Sequence, residues 1–384
     1  MKKICFVTTV SITIKSFLIE FANHLVENAD YDVTFICDCD ESMKEYCTER
    51  IHYIPVAMKR GISFDGLKVI GQLSEIFKKE QFDIIQYSTP NAALYASIAA
   101  KKAKCQNRLY CQWGIRYMGF EKGVKRTIFK FLEKTVCKKS TVIECESESL
   151  YQFSVEEGLY PKEKASVALY GSACGVNLNR YDLTKREGWR REIRNSYGIT
   201  EDDCVFGYVG RITRDKGTNE LISAFRQISE TNENAYLMLI GSFDNEGTLN
   251  NELKEWAIHS PKVIFVDWTD RVEQYYSAMD VFASLSYREG FGLVIIEAAA
   301  MQLPSIVTNV PGQKDTITDG REGLLVALKS EEDVKGVMQY YIDNPEKRRE
   351  MGLAARQNVE EKYDQRVLFE VLAKNRDRLI SHQK

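Results

Sequence analysis

Two successive runs of alternating strand and helix patterns predict an α/β protein with two parallel-sheet domains, each sheet covered on both faces. A polar, charge-rich passage at 177–203 separates the runs. Length agrees, because 384 residues can bury two ordinary cores. A third sign is glycine at a strand-to-helix turn, where Gly290 and Gly292 bracket Phe291.

In the first run, residues 3–8 form a strand, and 17–26 (FLIEFANHLV) carry a helical apolar face. Short apolar or β-branched runs at 32–37, 52–55, 82–86, 108–112, 141–145 and 166–169 supply further strands. Ligands of such sheets sit beyond the carboxyl ends of the strands, which singles out the loops 9–16, 57–64, 87–91, 113–120, 146–149 and 170–176. The passage 177–203 holds helix-forming 185–197 but no deep strand, placing the domain boundary near 185–200. The second run has strands at 205–209, 236–240, 263–266, 280–285, 305–308 and 323–326. Helices follow at 293–301, 331–343, 345–361 and 364–380.

Composition narrows the function. A net charge of −3 argues against bulk nucleic-acid binding. Ten cysteines without a C-x-x-C pair fit buried thiols in a reducing compartment better than disulfides or zinc. Four histidines, none at metal-ligand spacing, disfavour a histidine metal site. The opening MKKICFVTTVSITIK invites a signal-peptide reading, but Lys15 cuts its apolar run and no small-residue cleavage site follows. A first strand is the better reading, and no stretch reaches the roughly 20 apolar residues of a membrane span. A cytoplasmic protein, at most attached to a membrane surface, is expected.

The chain is organised around 284–301, SLSYREGFGLVIIEAAAM. A turn of this kind lets backbone N–H groups approach a ligand, and the following helix N-terminus favours a phosphate. Were Glu289 and Glu297 both helical, they would stand about 12 Å apart. Glycosidase pairs stand about 5–10 Å apart, so the spacing suits two acceptors gripping the ends of one elongated ligand with phosphates between. Upstream, VGRITRDKG offers Arg211, whose planar fork fits phosphate oxygens, and Lys216, a mobile point charge.

Glu289-x7-Glu297 resembles the signature of the retaining glycosyltransferases of family 4, which have the GT-B fold. The flanks VGRITRDKG, VDWTDRVEQYYSAMDVF, PSIVTNVPGQKD and DGREGLLV match as well, strongly over 205–330 and more loosely over 1–180. The resemblance implies two Rossmann-like domains facing a central cleft. The N-terminal acceptor-binding domain would span 1–185 and the nucleotide-sugar-binding domain 200–363, with 364–384 a helix crossing back to the first. It implies metal-independent transfer, with no cofactor, from a nucleotide sugar, most simply a UDP-sugar, to a glycan or polyprenyl-diphosphate-linked acceptor in bacterial surface polysaccharide synthesis. The catalytic set would be Glu289, Arg211 and Lys216, with Glu289 on the sugar hydroxyls and the two cations on the departing diphosphate. Donor binding would add Gly210, Phe291, Gly292 and Leu293, with Glu297 on the ribose and Asp267 and Trp268 near the base. The Trp268 indole could equally be core packing.

The first domain departs from the pattern. Many members carry a His-Gly pair after the fifth strand, where this chain has Gln112, Trp113 and Gly114, with Arg116 following. Many have a glycine-rich first loop, where this chain offers Ser11, Thr13 and Lys15. Arg60 and Asn91 resemble cleft-facing residues of capsule-type members. Rival readings are another GT-B activity such as a nucleotide-sugar epimerase, a non-catalytic donor-binding partner subunit, and a metal-dependent GT-A enzyme using Asp38 and Asp40. A nicotinamide enzyme is disfavoured because no G-x-G-x-x-G follows a strand.

Residues 101–140 hold twelve Lys and Arg against Glu121 and Glu133, a local excess of +10. Val124, Ile128, Phe131, Leu132 and Val136 share one helical face, and Lys122, Arg126, Lys130 and Lys134 another. A core-packed helix with a solvated basic face is one expectation. Docking on an anionic inner leaflet is the other.

Overall fold

The computed structural model describes residues 1–58, 65–120, 122–243 and 248–381. It contains two compact units: Met1–Cys174 with the C-terminal segment from Arg366, and Gly175–Gln365.

The first unit has a seven-stranded sheet of β1 (Lys2–Val7), β2 (Tyr31–Cys37), β3 (Ile51–Pro55), β4 (Ile84–Tyr87), β5 (Asn107–Gln112), β6 (Val142–Cys145) and β7 (Ala165–Val167). Its order is β3-β2-β1-β4-β5-β6-β7, and all pairings are parallel. Both faces are covered, which is why β1 from Ile4, β2 from Val33 and all of β4 are buried, with Thr34 and Gln86 their polar members. Helices Gly66–Glu80, Pro90–Lys102 and Val124–Lys139 pack side by side. The middle one lies close on the sheet through buried Ala92, Ala93, Ala96, Ala99 and Ala100. Helices Ile19–Asn28 and Gln365–Ser381 meet through Phe21 and Phe369, whose rings are 5.2 Å apart. Arg376, 1% exposed, fastens the C-terminal helix to the sheet. It donates to both oxygens of Glu144 on β6 (2.5 and 2.7 Å) and to Gln86 Oε1 on β4 (2.9 Å). Asp377 accepts from Lys2 Nζ and Tyr31 Oη, both at 2.7 Å.

The second unit has a six-stranded parallel sheet of β8 (Cys204–Val209), β9 (Ala235–Ile240), β10 (Val263–Val266), β11 (Val281–Ser284), β12 (Ser305–Thr308) and β13 (Gly323–Val326), ordered β10-β9-β8-β11-β12-β13. The units divide at Cys174–Gly175, ahead of the 185–200 passage that composition suggested. Helix Leu183–Ser196 reads as a linker because it is polar, yet it is part of the second unit's cover. Its Arg190 and Arg194 are buried, and each donates to Asp280 (3.0 and 2.5 Å), at the foot of β11.

Each strand expected from the sequence has its counterpart in the sheets within two residues at either end. The loop expected at 9–16 is instead largely helix Ser11–Phe17, which passes through Leu18 into helix Ile19–Asn28. Ile14, Leu18, Phe21, Ala22 and Leu25 are all buried, so the helical apolar stripe begins one turn earlier than the visible run suggested. The Asp38 carboxylate accepts from Ser11 N–H at 2.7 Å, satisfying a donor that the helix leaves open.

Candidate functional site

In each sheet the strand order reverses beside the first strand, and the loops leaving the two strands at that point line a crevice. In the second unit these are the loops after β8 and β11. Gly210 (φ 145°) turns the chain out of β8, and a Cβ on Gly241 would lie 2.0 Å from its carbonyl oxygen. Gly217 (φ 71°) packs so closely that a Cβ would fall 2.1 Å from Leu285 O at the end of β11. Only glycine permits that approach.

The two loops are knit by polar contacts. Tyr287 N–H donates to Asp215 O at 2.9 Å, and Tyr208 Oη holds Arg211 O at 2.6 Å. The Lys216 ammonium pairs with the Glu289 carboxylate, which also accepts from Ser286 Oγ at 3.0 Å. Asp215 lies 4.0 Å from Arg211 and 3.6 Å from Arg288, and accepts from Thr213 Oγ1 at 2.6 Å. Burial raises the Asp215 carboxyl, but the Thr213 hydroxyl, Arg211, Arg288 and Lys216 together hold it below the ordinary carboxylate range. Arg211 is two-thirds exposed, so its guanidinium is open to a ligand. Gly312 (φ 91°) braces the far side: a Cβ there would meet Glu289 O at 2.6 Å and Gly290 O at 2.7 Å.

Glu289 stands in the loop, so the rise of a continuous helix does not set its separation from Glu297. Phe291 is 1% exposed and edge-on to Tyr363 (5.4 Å between rings), so what it offers outward is backbone. Gly292 (φ 115°) caps helix Leu293–Ala300, where no side chain caps the first turn and the Ile295 N–H donates back to Gly292 O at 2.9 Å. Glu297, inside that helix, is part-buried and accepts from Tyr276 Oη at 3.4 Å. Burial pushes its carboxyl up, while Tyr181, Arg180 and Tyr276 favour the ionised form. Asp267 and Trp268 follow β10 at the sheet's edge, with β9 between them and β8. Trp268 is 72% exposed, which removes the core-packing reading of its indole.

In the first unit the corresponding loops follow β1 and β4. Thr9 and Thr89 join them through a 2.9 Å hydroxyl contact, and Thr9 N–H donates to Thr89 Oγ1 at 3.0 Å. Ser11 opens its helix against Asp38, and Thr13 lies part-buried within it. Lys15 is engaged, bonding Asp40 at 2.8 Å and Ser42 Oγ at 2.5 Å. Asn91 sits in the first turn of helix Pro90–Lys102. Trp113 rests on Phe17 (5.5 Å), and Arg116 stacks over Phe129 (4.6 Å). Gln112, which precedes Trp113 and Gly114, is fully buried. It donates to Glu133 (2.8 Å) and accepts from Tyr160 (2.9 Å) and Ser154 (3.1 Å). Arg60 lies outside the described residues. Among the described residues no three His, Cys, Asp or Glu side chains gather as a metal-holding group.

The structure thus unites Gly210, Arg211, Lys216, Glu289, Phe291, Gly292 and Leu293 around one crevice, with Glu297 a little deeper in the helix. Sequence reading missed Asp215, Ser286, Arg288, Gly312, Tyr181 and Tyr276. The first four and Tyr276 stand within or beside the quoted motifs, but Tyr181 left no signal beyond the polar passage that holds it.

Two Rossmann-like parallel-sheet units of this topology define the GT-B class, as solved relatives show. Anabaena HepE in complex with UDP and glucose superposes with a TM-score of 0.79 at 16% identity, covering 98% of this chain and 99% of that one. A glycosyltransferase from Rickettsia africae gives 0.80 at 20% identity, covering 99% and 98%. Family models for glycosyl transferases group 1 and glycosyl transferase 4-like match residues 190–358 and 3–147. The capsular polysaccharide biosynthesis glycosyltransferase CapM of Staphylococcus aureus is 31% identical, over 89% of this chain and 88% of its own. An Escherichia coli UDP-Gal:alpha-D-GlcNAc-diphosphoundecaprenol alpha-1,3-galactosyltransferase is 24% identical over 79% and 78%. The chain belongs to the group 1, family 4-like glycosyltransferases.

Proposed function

We propose that this enzyme is a retaining, metal-independent transferase that moves a sugar from a UDP-sugar to a glycan or polyprenyl-diphosphate-linked acceptor in bacterial surface polysaccharide assembly. The observation that carries the reading is the pairing of Lys216 with Glu289 across the β8/β11 crevice, beside the open Arg211. One cluster presents cations for a diphosphate and a carboxylate for sugar hydroxyls, a combination that a nucleotide sugar satisfies at once. In this reading Arg211 and Lys216 stabilise charge building on the departing diphosphate, the main electrostatic task of the transfer. Backbone N–H groups at Phe291, Gly292 and Leu293 hold its oxygens, and Glu297 takes the ribose hydroxyls. The named relatives support a UDP donor, a capsular setting and a diphosphoundecaprenol-linked acceptor. An acceptor of that kind gives the first unit reason to meet the inner leaflet through its basic stretch at 101–140.

The test is thermal stabilisation by UDP, GDP, ADP and their sugars, with EDTA present, on wild type and Glu297→Ala. A shift with UDP ligands that the variant loses supports the donor site. Silence across the panel sinks it. Product NMR with a trapped acceptor then reads the anomeric configuration, and inversion would refute the retaining step.

A further inference from the structure

The helix Val124–Lys139 does not lie as its pattern suggests. Its buried side is Glu133, Val136 and Cys137, with Phe129 packed against the core, whereas Val124, Ile128 and Phe131 are 77, 45 and 69% exposed. These three recur at i, i+4 and i+7, so they stack into one outward ridge. Thr127 and Thr135 extend it. Their hydroxyls return to the helix's own carbonyls, Gly123 O at 3.2 Å and Phe131 O at 2.9 Å, leaving methyl groups as their outward contribution.

The charges are arranged around that ridge. At about 100° per residue, Lys134 and Lys125 fall about 80° and 100° to either side of Val124, while Lys138 and Lys139 close the ridge at its C-terminal end. The helix's one acid, Glu133, is turned inward to Tyr110 and Gln112, each at 2.8 Å. Arg126 and Lys130 turn away from the ridge to Glu157 (3.6 and 2.7 Å). The outward face of the helix therefore carries large apolar side chains along its first two turns, cations on both shoulders and at its C-terminal end, and no carboxylate. A face built for water places its charges on the crest. An interfacial helix has this opposite arrangement, with an apolar crest entering the acyl boundary and lysines meeting lipid phosphates.

We infer that Val124–Lys139 is a membrane-inserting ridge that seats the first unit on an anionic phospholipid bilayer through Val124, Ile128 and Phe131. This deepens the leaflet contact of the proposed function by naming the surface and its mode, insertion with electrostatic support. Positive charge alone would give only adhesion that salt removes.

Flotation with phosphatidylglycerol/phosphatidylethanolamine vesicles, and with phosphatidylcholine vesicles, tests this without donor or acceptor. Wild type is expected to float with the anionic vesicles and to retain part of that binding at high salt. The double variant Val124→Ser/Phe131→Ser should lower the partition coefficient at least about tenfold at any salt. Lys134→Glu/Lys138→Glu should lower it about tenfold or more at low salt only. All four positions are exposed, so melting temperatures should stay at the wild-type value, and the UDP-induced shift should persist in both variants. Failure of wild type to float, or equal flotation of the ridge variant, overturns the inference. Vesicle binding by a protein that ignores UDP would overturn the donor reading and leave the ridge standing.

Discussion

Glu297→Gln separates what this carboxylate does for the fold from what it does for a ligand. The native carboxyl is pushed up by burial, against the opposing influence of Tyr181, Arg180 and Tyr276. Glutamine keeps an acceptor for the Tyr276 hydroxyl, now 3.4 Å from Oε2, and removes a charge that burial disfavours. Unliganded stability near pH 7.5 should therefore hold or rise. Binding should move the other way. A carboxylate gripping ribose hydroxyls makes charge-assisted hydrogen bonds of about 1.5–3 kcal/mol each. Losing one such bond raises the Kd for UDP about 10- to 150-fold.

Calorimetric titration with UDP, and melting temperatures without it, read the two effects independently. The acid's raised folded-state pKa fixes the sign of the pH dependence. Its contribution to stability is present below the unfolded value near 4.5 and is lost as pH rises through the folded value. Wild type should thus lose melting temperature relative to Glu297→Gln as pH climbs from 4.5 toward neutrality. A UDP affinity within about twofold of wild type would refute the ribose role, whatever the melting data show. A fall of several degrees in the unliganded variant would show instead that the Tyr276–Glu297 contact holds the fold.

Lys216→Met should cut transfer about 10²- to 10³-fold, as removal of a transition-state donor does, and adding Glu289→Gln should cost less than the product of the single effects because the pair acts as a unit. Initial rates with UDP-sugar check this, and strictly multiplicative losses would separate the two roles. Arg376→Met leaves Glu144 uncompensated beneath the C-terminal helix and should destabilise the first unit by about 3–5 kcal/mol in urea unfolding. A loss under about 1 kcal/mol would show that the clasp is dispensable. Glu133→Gln keeps the acceptor for Tyr110 and Gln112 while removing a carboxyl that burial pushes up against the favourable effect of those same bonds. Stability of wild type should decline relative to this variant as pH rises above 4.5, and parallel pH profiles would contradict it.

The strands were legible because parallel strands buried on both faces are near-continuous apolar runs, unbroken in 237–240 and interrupted only by Thr34 in 33–37. Glycine positions were legible for the same local reason: Gly210, Gly217 and Gly292 sit at turns that need positive φ. Orientation was not legible. Val124, Ile128 and Phe131 recur with the helical period whether they face core or solvent, and only tertiary packing decides. Contacts between distant residues also left no trace. Lys216 meets Glu289 because β8 and β11 are neighbours, a fact of strand order. Helix Leu183–Ser196 misled for the opposite reason: Arg190 and Arg194 look solvated until Asp280 is seen beneath them.

The two switch points share a topology and differ in what they leave unpaired, and this difference favours the second unit as the anion-binding half. After β1 and β4, the polar groups close on one another: Thr9 on Thr89, Asp38 on Ser11, Asp40 on Lys15 and Ser42. Asp40 is held well below the usual carboxylate range, chiefly by Lys15, with Ser11 and Ser42 adding to it. The lysine there is matched by a carboxylate, so among the described residues of these two loops Lys15 is no surplus cation for a diphosphate. After β8 and β11, Arg211, Lys216 and Arg288 face two carboxylates, Asp215 and Glu289, and Arg211 remains mostly in solvent. One net positive charge, a glycine turn and a helix N-terminus that no side chain caps converge there. A diphosphate drawn into this crevice would compete with Glu289 for Lys216. A carboxylate released from that ion pair as the phosphates dock would be free to accept sugar hydroxyls, so the Lys216–Glu289 contact would couple diphosphate binding to sugar binding.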